Sequence, residues 1–136
     1  MRDVSRLLLY WVSGVDGPTG ALEGGVVRPA TDVVECDDRI LITVELAGVA
    51  REDLSASLVG QRLEIRGMRR PREQEDGGVK RYLRREIVYA PFERVLVLPA
   101  DIDESSFEAE YRDGMLRIAV RRRPPEPEPV HRVTIR

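Results

Sequence analysis

Apolar and polar side chains alternate along most of the chain between residues 29 and 123. A period of two residues is typical of β-strands that bury one face, and this period dominates over the helical one. Six runs carry apolar residues at the positions that would face inward. These positions are Ile40, Ile42, Val44 and Leu46; Leu54, Ala56 and Leu58; Leu63 and Ile65; Phe92, Leu96 and Leu98; Phe107, Ala109 and Tyr111; and Leu116, Ile118 and Val120.

Turn-forming residues separate these runs. Asp113 and Gly114 stand between the last two, and an Asp-Gly pair favours a type I′ hairpin because both of its central residues need a positive φ. Further turn signals lie at residues 36–39 and 59–61. Short alternating strands at this spacing, with no long helical segment between them, predict an all-β, immunoglobulin-like sandwich of two sheets.

The flanks of the sandwich differ from it in composition. Residues 1–28 are predicted to form a flexible arm, because a short apolar run is followed there by a glycine-rich stretch. Residues 29–123 are the sandwich, and residues 124–136 form an extended tail that starts with four prolines in 124–129, which keep it stiff and out of a central strand. The apolar run of the arm, called the amino-terminal patch below, consists of Leu7, Leu8, Leu9, Tyr10, Trp11 and Val12.

Two segments have sequence patterns that favour contacts outside their own sheet. A charged loop, residues 68–80, interrupts the sandwich pattern, and residues 82–88 then resume as an extended run. A strand on a long loop is well placed to pair with another chain. In the tail, Val133 and Ile135 project to the same side of an extended backbone, so we expect the pair to dock in two adjacent pockets.

Composition argues against several functional classes. Twenty-two Lys+Arg against 24 Asp+Glu give a net charge of −2, so no positive field favours nucleic acid or a membrane as a partner. A single cysteine cannot build a disulfide framework or a multi-cysteine metal site. No apolar run approaches a membrane span, and residues 7–12 lack the cleavage pattern of a signal peptide. We therefore expect a cytoplasmic protein.

Isolated polar candidates are better explained by structure than by chemistry. Cys36 lies between Glu35 and Asp37, whose charges disfavour a thiolate, and a turn explains the acidic residues better than a bound cation does. His131, the single histidine, lies in the tail and is not expected to act as a metal ligand or base. The basic residues of 69–72 are followed directly by acidic ones, which favours a solvated loop over a phosphate site. We expect neither a metal nor a cofactor, and no catalytic residue.

Five motifs, in the expected order and spacing, resemble those of the small heat-shock protein (α-crystallin-type) family. The resemblance covers residues 29–136, and it departs from the family at Ala47, where proline is usual. The motifs are PATDVVE at 29–35, ELAGV at 45–49, FERVLVLP at 92–99, AEYRDGML at 109–116 and VTI at 133–135.

The resemblance implies a holdase, an ATP-independent chaperone that binds unfolding client proteins through apolar surface. Clients would contact the amino-terminal patch, and a dense surface charge that includes residues 121–123 would keep the complex soluble. The tail would dock, through Val133 and Ile135, in a groove of a neighbouring dimer. The groove would be lined by Leu54, Ala56 and Leu58 on one wall and by Phe107, Ala109 and Tyr111 on the other.

The resemblance also implies a dimer formed by strand exchange, which assembles into a larger homo-oligomer. By position, the exchanged strand is residues 82–88. Arg94 shares the inward parity of Phe92 and is expected to form an ion pair at the interface, since an inward arginine needs a partner. ATP-dependent chaperones are a further class of partner that the resemblance allows. The predicted interface residues are Tyr82, Leu83, Arg84, Arg85, Glu86 and Arg94.

Two other functions stay open at the level of the residues. A monomeric co-chaperone or interaction module of the CS-domain kind would use the same sandwich, but it would normally lack the tail tripeptide. A hydrolase would need a nucleophile and a base, and the only histidine lies in the proline-tethered tail. The mass of the protein in solution separates a monomeric module from an oligomeric chaperone.

Overall fold

The computed structural model of the chain describes residues 22–71 and 81–136, and it confirms the predicted two-sheet sandwich. One sheet has the strand order β1-β2-β7-β6-β5 and the other β3-β4-β9-β8. No helix within these ranges is long and apolar enough to cross a membrane. The strands are β1 (Leu22–Glu23), β2 (Val26–Val27), β3 (Thr31–Glu35), β4 (Arg39–Glu45), β5 (Leu54–Val59), β6 (Arg62–Met68), β7 (Pro91–Val97), β8 (Glu108–Arg112) and β9 (Met115–Arg121).

The core consists of the inward positions that the alternation predicts. Ile42 on β4 lies opposite Ile118 on β9, and Leu63 on β6 lies opposite Leu96 on β7. Full burial of such a side chain stabilises the fold by about 1.5–3 kcal/mol. The buried members of the predicted runs are Ile40, Ile42, Val44, Leu46, Leu63, Ile65, Phe92, Leu96, Leu98, Leu116, Ile118 and Val120.

The hairpin between β8 and β9 has the geometry that its sequence predicts. Asp113 has a φ of 54° and Gly114 a φ of 74°, so both central residues are left-handed as a type I′ turn requires. The turn sets the register in which Tyr111 lies opposite Leu116. That register points the odd-numbered residues of β8 toward the core.

A hairpin lies within residues 1–28, which their glycine content assigned to a flexible arm. Leu22 lies opposite Val27, and Gly24 and Gly25 form the turn with φ values of 58° and 83°. Val27 pairs in turn with Phe92 of β7 and is only 8% exposed. Strands of two residues show no alternation, which is why the sequence pattern missed them. The amino-terminal patch and the other residues of 1–21 lie outside the described ranges.

Residues 82–88 form no strand in the single chain, although their pattern suggested an extended run. The segment is exposed, with Leu83 at 85%, and no described strand pairs with it. A β-strand needs backbone partners for its N–H and C=O groups, and none of the strands within 22–71 and 81–136 provides them. Local contacts organise the segment instead: the Arg85 guanidinium lies 4.8 Å from the ring centroid of Tyr82, and Arg84 pairs with Glu86 at 3.7 Å. Strand exchange therefore stays a prediction.

Arg122 bonds the end of β9 to the β3–β4 turn and to the β7–β8 connection. The run of arginines at 121–123 had suggested instead that its side chain is solvent-exposed like those of its neighbours. Its guanidinium reaches Asp101 Oδ2 at 2.7 Å and Glu35 Oε1 at 3.0 Å, and it donates to the Cys36 carbonyl at 3.1 Å. The hydrogen bond to Asp101 raises the pKa of Arg122 above its ordinary value. The acidic residue Glu35 is thus an ion-pair partner, and the root of the tail is fixed to the sandwich.

Candidate functional site

The predicted groove lies along two edge strands. β5 is the last strand of one sheet and β8 the last strand of the other. The connection that leaves β4 at Leu46 passes the hydroxyl of Tyr111 and enters β5 through a single 3₁₀ turn, Arg51–Asp53. This path brings the start of β5 to the side of the sandwich that carries β8.

The groove residues differ in how far they are buried. Leu54, Ala56 and Leu58 alternate with exposed residues along β5, are themselves half-buried, and pack against the core. On the other wall, Phe107 and Tyr111 are half-buried against the same core, whereas Ala109 is exposed. Five of the six side chains therefore form the rim of the core between the edge strands. Their apolar atoms remain accessible, but docking of the tail between them is untested.

Tyr111 has a structural contact that the sequence did not reveal. Its hydroxyl lies 2.6 Å from the carbonyl oxygen of Leu46 and 2.9 Å from that of Val49, and it donates its proton to this pair of acceptors. The bond ties β8 to the connection that leads into β5. Tyr111 therefore has a structural role in joining β8 to this connection, and its part in a groove stays a prediction.

Replacement of Tyr111 by Phe is expected to lower the free energy of unfolding by about 1–2 kcal/mol, because the Val49 carbonyl loses the hydroxyl donor and the Leu46 carbonyl keeps only the N–H of Val49 among the described donors. Urea denaturation measures this as a lower midpoint with an unchanged slope. Tyr89→Phe, at an exposed ring, is the matched control and is expected to leave the midpoint in place. Equal midpoints for Tyr111→Phe and the unsubstituted chain would contradict the anchoring role.

The two tail residues predicted to dock are exposed, as a segment must be if it is free to bind elsewhere. Val133 is 83% exposed and Ile135 is 94% exposed, and residues 123–136 form no described strand. Large β-branched side chains at such exposure gain free energy when they are covered. The structure of the single chain places the pair in solvent and away from the groove.

The dimer residues of the sequence prediction divide into two sets. Tyr82, Leu83, Arg84, Arg85 and Glu86 all lie on the exposed segment described above. Arg94 instead lies half-buried on β7, opposite Ile65 of β6. The part of Arg94 in an interface stays a prediction.

Within residues 22–71 and 81–136, no group of histidine, cysteine and acidic side chains is placed to hold a metal ion. The described part of the chain presents half-buried apolar side chains along its edge strands, an exposed apolar tail pair and an exposed segment of mixed apolar and charged residues. Such surfaces bind other polypeptide segments.

An immunoglobulin-like sandwich with these edge strands and a tail carrying Val133 and Ile135 defines an α-crystallin-type domain. Residues 32–136 match the model of the Hsp20/alpha crystallin family. The chain belongs to that family, and it is thus a small heat shock protein of the chaperone class.

Relatives and solved structures agree with this assignment. Small heat shock protein C2 of Rickettsia felis is 32% identical over 68% of this chain, which spans 58% of that relative. Small heat shock protein IbpB of Shigella boydii is 31% identical over 98% of this chain and 92% of its own length. Heat shock protein 16.0 from Schizosaccharomyces pombe, at 26% identity, superposes with a TM-score of 0.61 over 79% of this chain and 99% of its own.

A further solved structure shares the fold. The small heat-shock protein from Xylella fastidiosa superposes with a TM-score of 0.63 at 23% identity, covering 79% of this chain and 96% of its own. That protein has a distinct high order structure. At this identity the likeness shows the sandwich and nothing finer.

Proposed function

We propose that the protein is an ATP-independent holdase, which binds unfolding proteins through exposed apolar surface and keeps them from aggregating. The observation that carries this proposal is the pairing of an exposed apolar tail with an accessible apolar groove in one member of this family. Val133 and Ile135 are nearly fully exposed, and the groove residues of β5 and β8 keep their apolar rims accessible. Surfaces of this kind are reversible binding sites for hydrophobic segments.

Reversible docking explains how such a protein stays soluble at rest and binds when needed. Covering two β-branched side chains gains about 1.5–3 kcal/mol each before the cost of ordering the tail. One contact is therefore weak, and many copies in a closed assembly hold together through avidity. When contacts open, the groove and the amino-terminal patch become available to a client together.

Charge supports strand exchange as the basis of the dimer. β3 is the outermost strand of its sheet, and it carries the exposed Asp32, whereas Glu35 at its end is paired with Arg122. The exposed segment carries Arg84, Arg85 and Glu86, and Arg81 directly precedes it. The net positive charge of this segment in a second copy would complement Asp32, and β3 would supply the backbone partner that residues 82–88 lack among the described strands. Pairing would also cover an open edge, which otherwise risks aggregation.

Deletion of residues 1–12 is expected to weaken the protection of a heat-aggregating client, because it removes the largest continuous apolar run outside the sandwich. Light scattering of a client such as citrate synthase, heated with increasing amounts of the protein, measures the effect. More of the deleted chain should be needed for equal protection. The mass of each variant in solution is measured in parallel, so that a change of assembly is seen separately.

A shorter deletion provides the control for this experiment. Removal of residues 1–6 shortens the same end and keeps the whole amino-terminal patch, so protection should remain close to that of the full chain. Equal protection by both deletions and the full chain would show that the patch does not contact clients. Loss of protection with both deletions would assign the effect to residues 1–6.

A further inference from the structure

A cavity of about 380 Å³ opens beside the last residues of the exposed segment, Ile87 and Val88, and shares no lining residue with the predicted tail groove. Its apolar floor is formed by Val27, Leu46 and Phe92, all of which belong to the core. Arg69 and Glu45 stand on its walls, and residues 87–90 form part of its mouth. The sequence pattern does not reveal this cavity, since its lining comes from three separate strands and their connections.

The walls of the cavity are held by backbone hydrogen bonds. The N–H of Glu45 donates to the carbonyl of Ala30 at 3.0 Å, and the N–H of Arg69 donates to the carbonyl of Ala90 at 3.1 Å. These bonds join residues that line opposite parts of the opening. The cavity is therefore preformed, which lowers the ordering cost for an occupant.

Arg69 points to the chemistry of the occupant. Its Nε atom is buried and has no hydrogen-bond partner among the described residues. A guanidinium in an apolar recess is stabilised by the face of an aromatic ring, and tryptophan is the best ring for this contact. Glu45, on the same cavity, offers a carboxylate that an indole N–H can donate to.

The path of the chain brings one segment with this chemistry to the cavity. Leu22 lies directly opposite Val27 in the hairpin, so the described part of the chain begins beside the cavity floor. Nine residues, 13–21, separate the amino-terminal patch from β1, and three of them are glycine. A flexible linker of this length spans roughly 16 Å on average, which is enough to fold back and too short to explore the whole molecule.

We propose that this cavity is the docking site of the chain's own amino-terminal patch, with Trp11 against Arg69. The patch is apolar throughout, and Trp11 is the only tryptophan of the chain. The docking itself is independent of the proposed holdase function. Its consequence rests on that function: a docked patch is withheld from clients, and its release makes it available.

The single tryptophan gives a direct readout in the full chain without any client. A docked Trp11 emits at shorter wavelength and is less quenched by acrylamide than the free peptide of residues 1–21. Ala90→Leu and Ala30→Leu each place extra carbons in the cavity, one from the wall and one from the rim. Both are expected to shift the emission toward that of the peptide and to raise the quenching constant. Ala100→Leu, at an exposed position away from the cavity, is the matched control and should change neither.

Arg69→Met tests the partner of the ring. It keeps most of the side chain's length and removes the guanidinium, so the emission should shift in the same direction as with the filled cavity. Thermal melts measure whether each variant is folded. If Ala90→Leu does not fold, Ala30→Leu still tests the effect of filling the cavity. A wild-type emission equal to that of the peptide would overturn the proposal. So would a protected Trp11 that neither the filled cavity nor Arg69→Met affects, since the ring would then be covered by another surface, such as a second copy.

Discussion

A chain in which Val133 and Ile135 are both replaced by glycine is expected to lose its large assemblies and to run as a dimer, at twice the 15.4 kDa of one chain. Each replacement removes about 1.5–3 kcal/mol of apolar burial per docking contact. Every tail contact in a closed assembly loses this burial free energy, and because the contacts act together through avidity, the total loss of assembly stability is much larger than that of one contact. Light scattering coupled to size-exclusion chromatography measures the mass, and the circular dichroism of the sandwich should not change.

The tail itself offers a matched control. Val130→Gly combined with Thr134→Gly makes two substitutions in the same segment, adds the same backbone freedom, and leaves Val133 and Ile135 in place. Its assembly should be as large as that of the unsubstituted chain. An unchanged mass for the Val133→Gly and Ile135→Gly double variant would show that the tail does not link dimers. An unsubstituted chain that is a monomer at every concentration would favour the co-chaperone alternative instead.

The core of this protein could be predicted from the sequence because alternation reports burial directly. Ile40, Ile42 and Val44 share a parity in the sequence and a buried face in the structure. The Asp113-Gly114 turn was equally predictable, since few residue pairs tolerate its two positive φ values. Both predictions depend on interactions between near neighbours in the chain.

The parts that the sequence did not reveal depend on contacts between distant residues or on very short elements. The hydroxyl of Tyr111 donates to carbonyls more than 60 positions away, and a backbone acceptor leaves no mark in the sequence. In the sequence, Arg122 cannot be distinguished from the neighbouring solvent-exposed arginines. Its ion pairs with Glu35 and Asp101 form only in the folded chain, which brings these distant residues together. The β1–β2 hairpin is too short for a periodic pattern, and its glycines are equally typical of a linker.

The candidate site falls between these two cases. Five of the six predicted groove residues lie at the rim of the core, because parity along the chain reports which face is turned inward, and the groove itself stays a prediction. The sequence did not distinguish the exposed Ala109 from the half-buried Phe107 and Tyr111. On an edge strand, the exposure of an inward side chain depends on which residues of the opposite sheet pack against it. The alternation of apolar and polar residues carries no information about that packing.

Gly67→Ala is expected to be the most destabilising single substitution considered, with a loss of about 3 kcal/mol in the free energy of unfolding. Gly67 lies on β6 between Leu54 of β5 and Phe92 of β7. A Cβ atom at this position would overlap the carbonyl oxygen of Asp53 and the ring of Phe92. The ring can rotate away, but the carbonyl belongs to the backbone at the start of β5, so the edge strand itself must shift.

Two further variants separate the cause of this loss from other effects of replacing glycine. Gly60→Ala has open space around the new carbon but a φ of 59°, so it is expected to cost only about 1–2 kcal/mol of left-handed strain. Gly67→Ala combined with Phe92→Leu relieves the ring and leaves the clash with Asp53, so it should not restore stability. A thermal midpoint for Gly67→Ala at or above that of Gly60→Ala would contradict the steric argument. The clash displaces β5, the strand that carries Leu54, Ala56 and Leu58. The fraction of Gly67→Ala that remains folded should therefore also bind the tail more weakly than Gly60→Ala does.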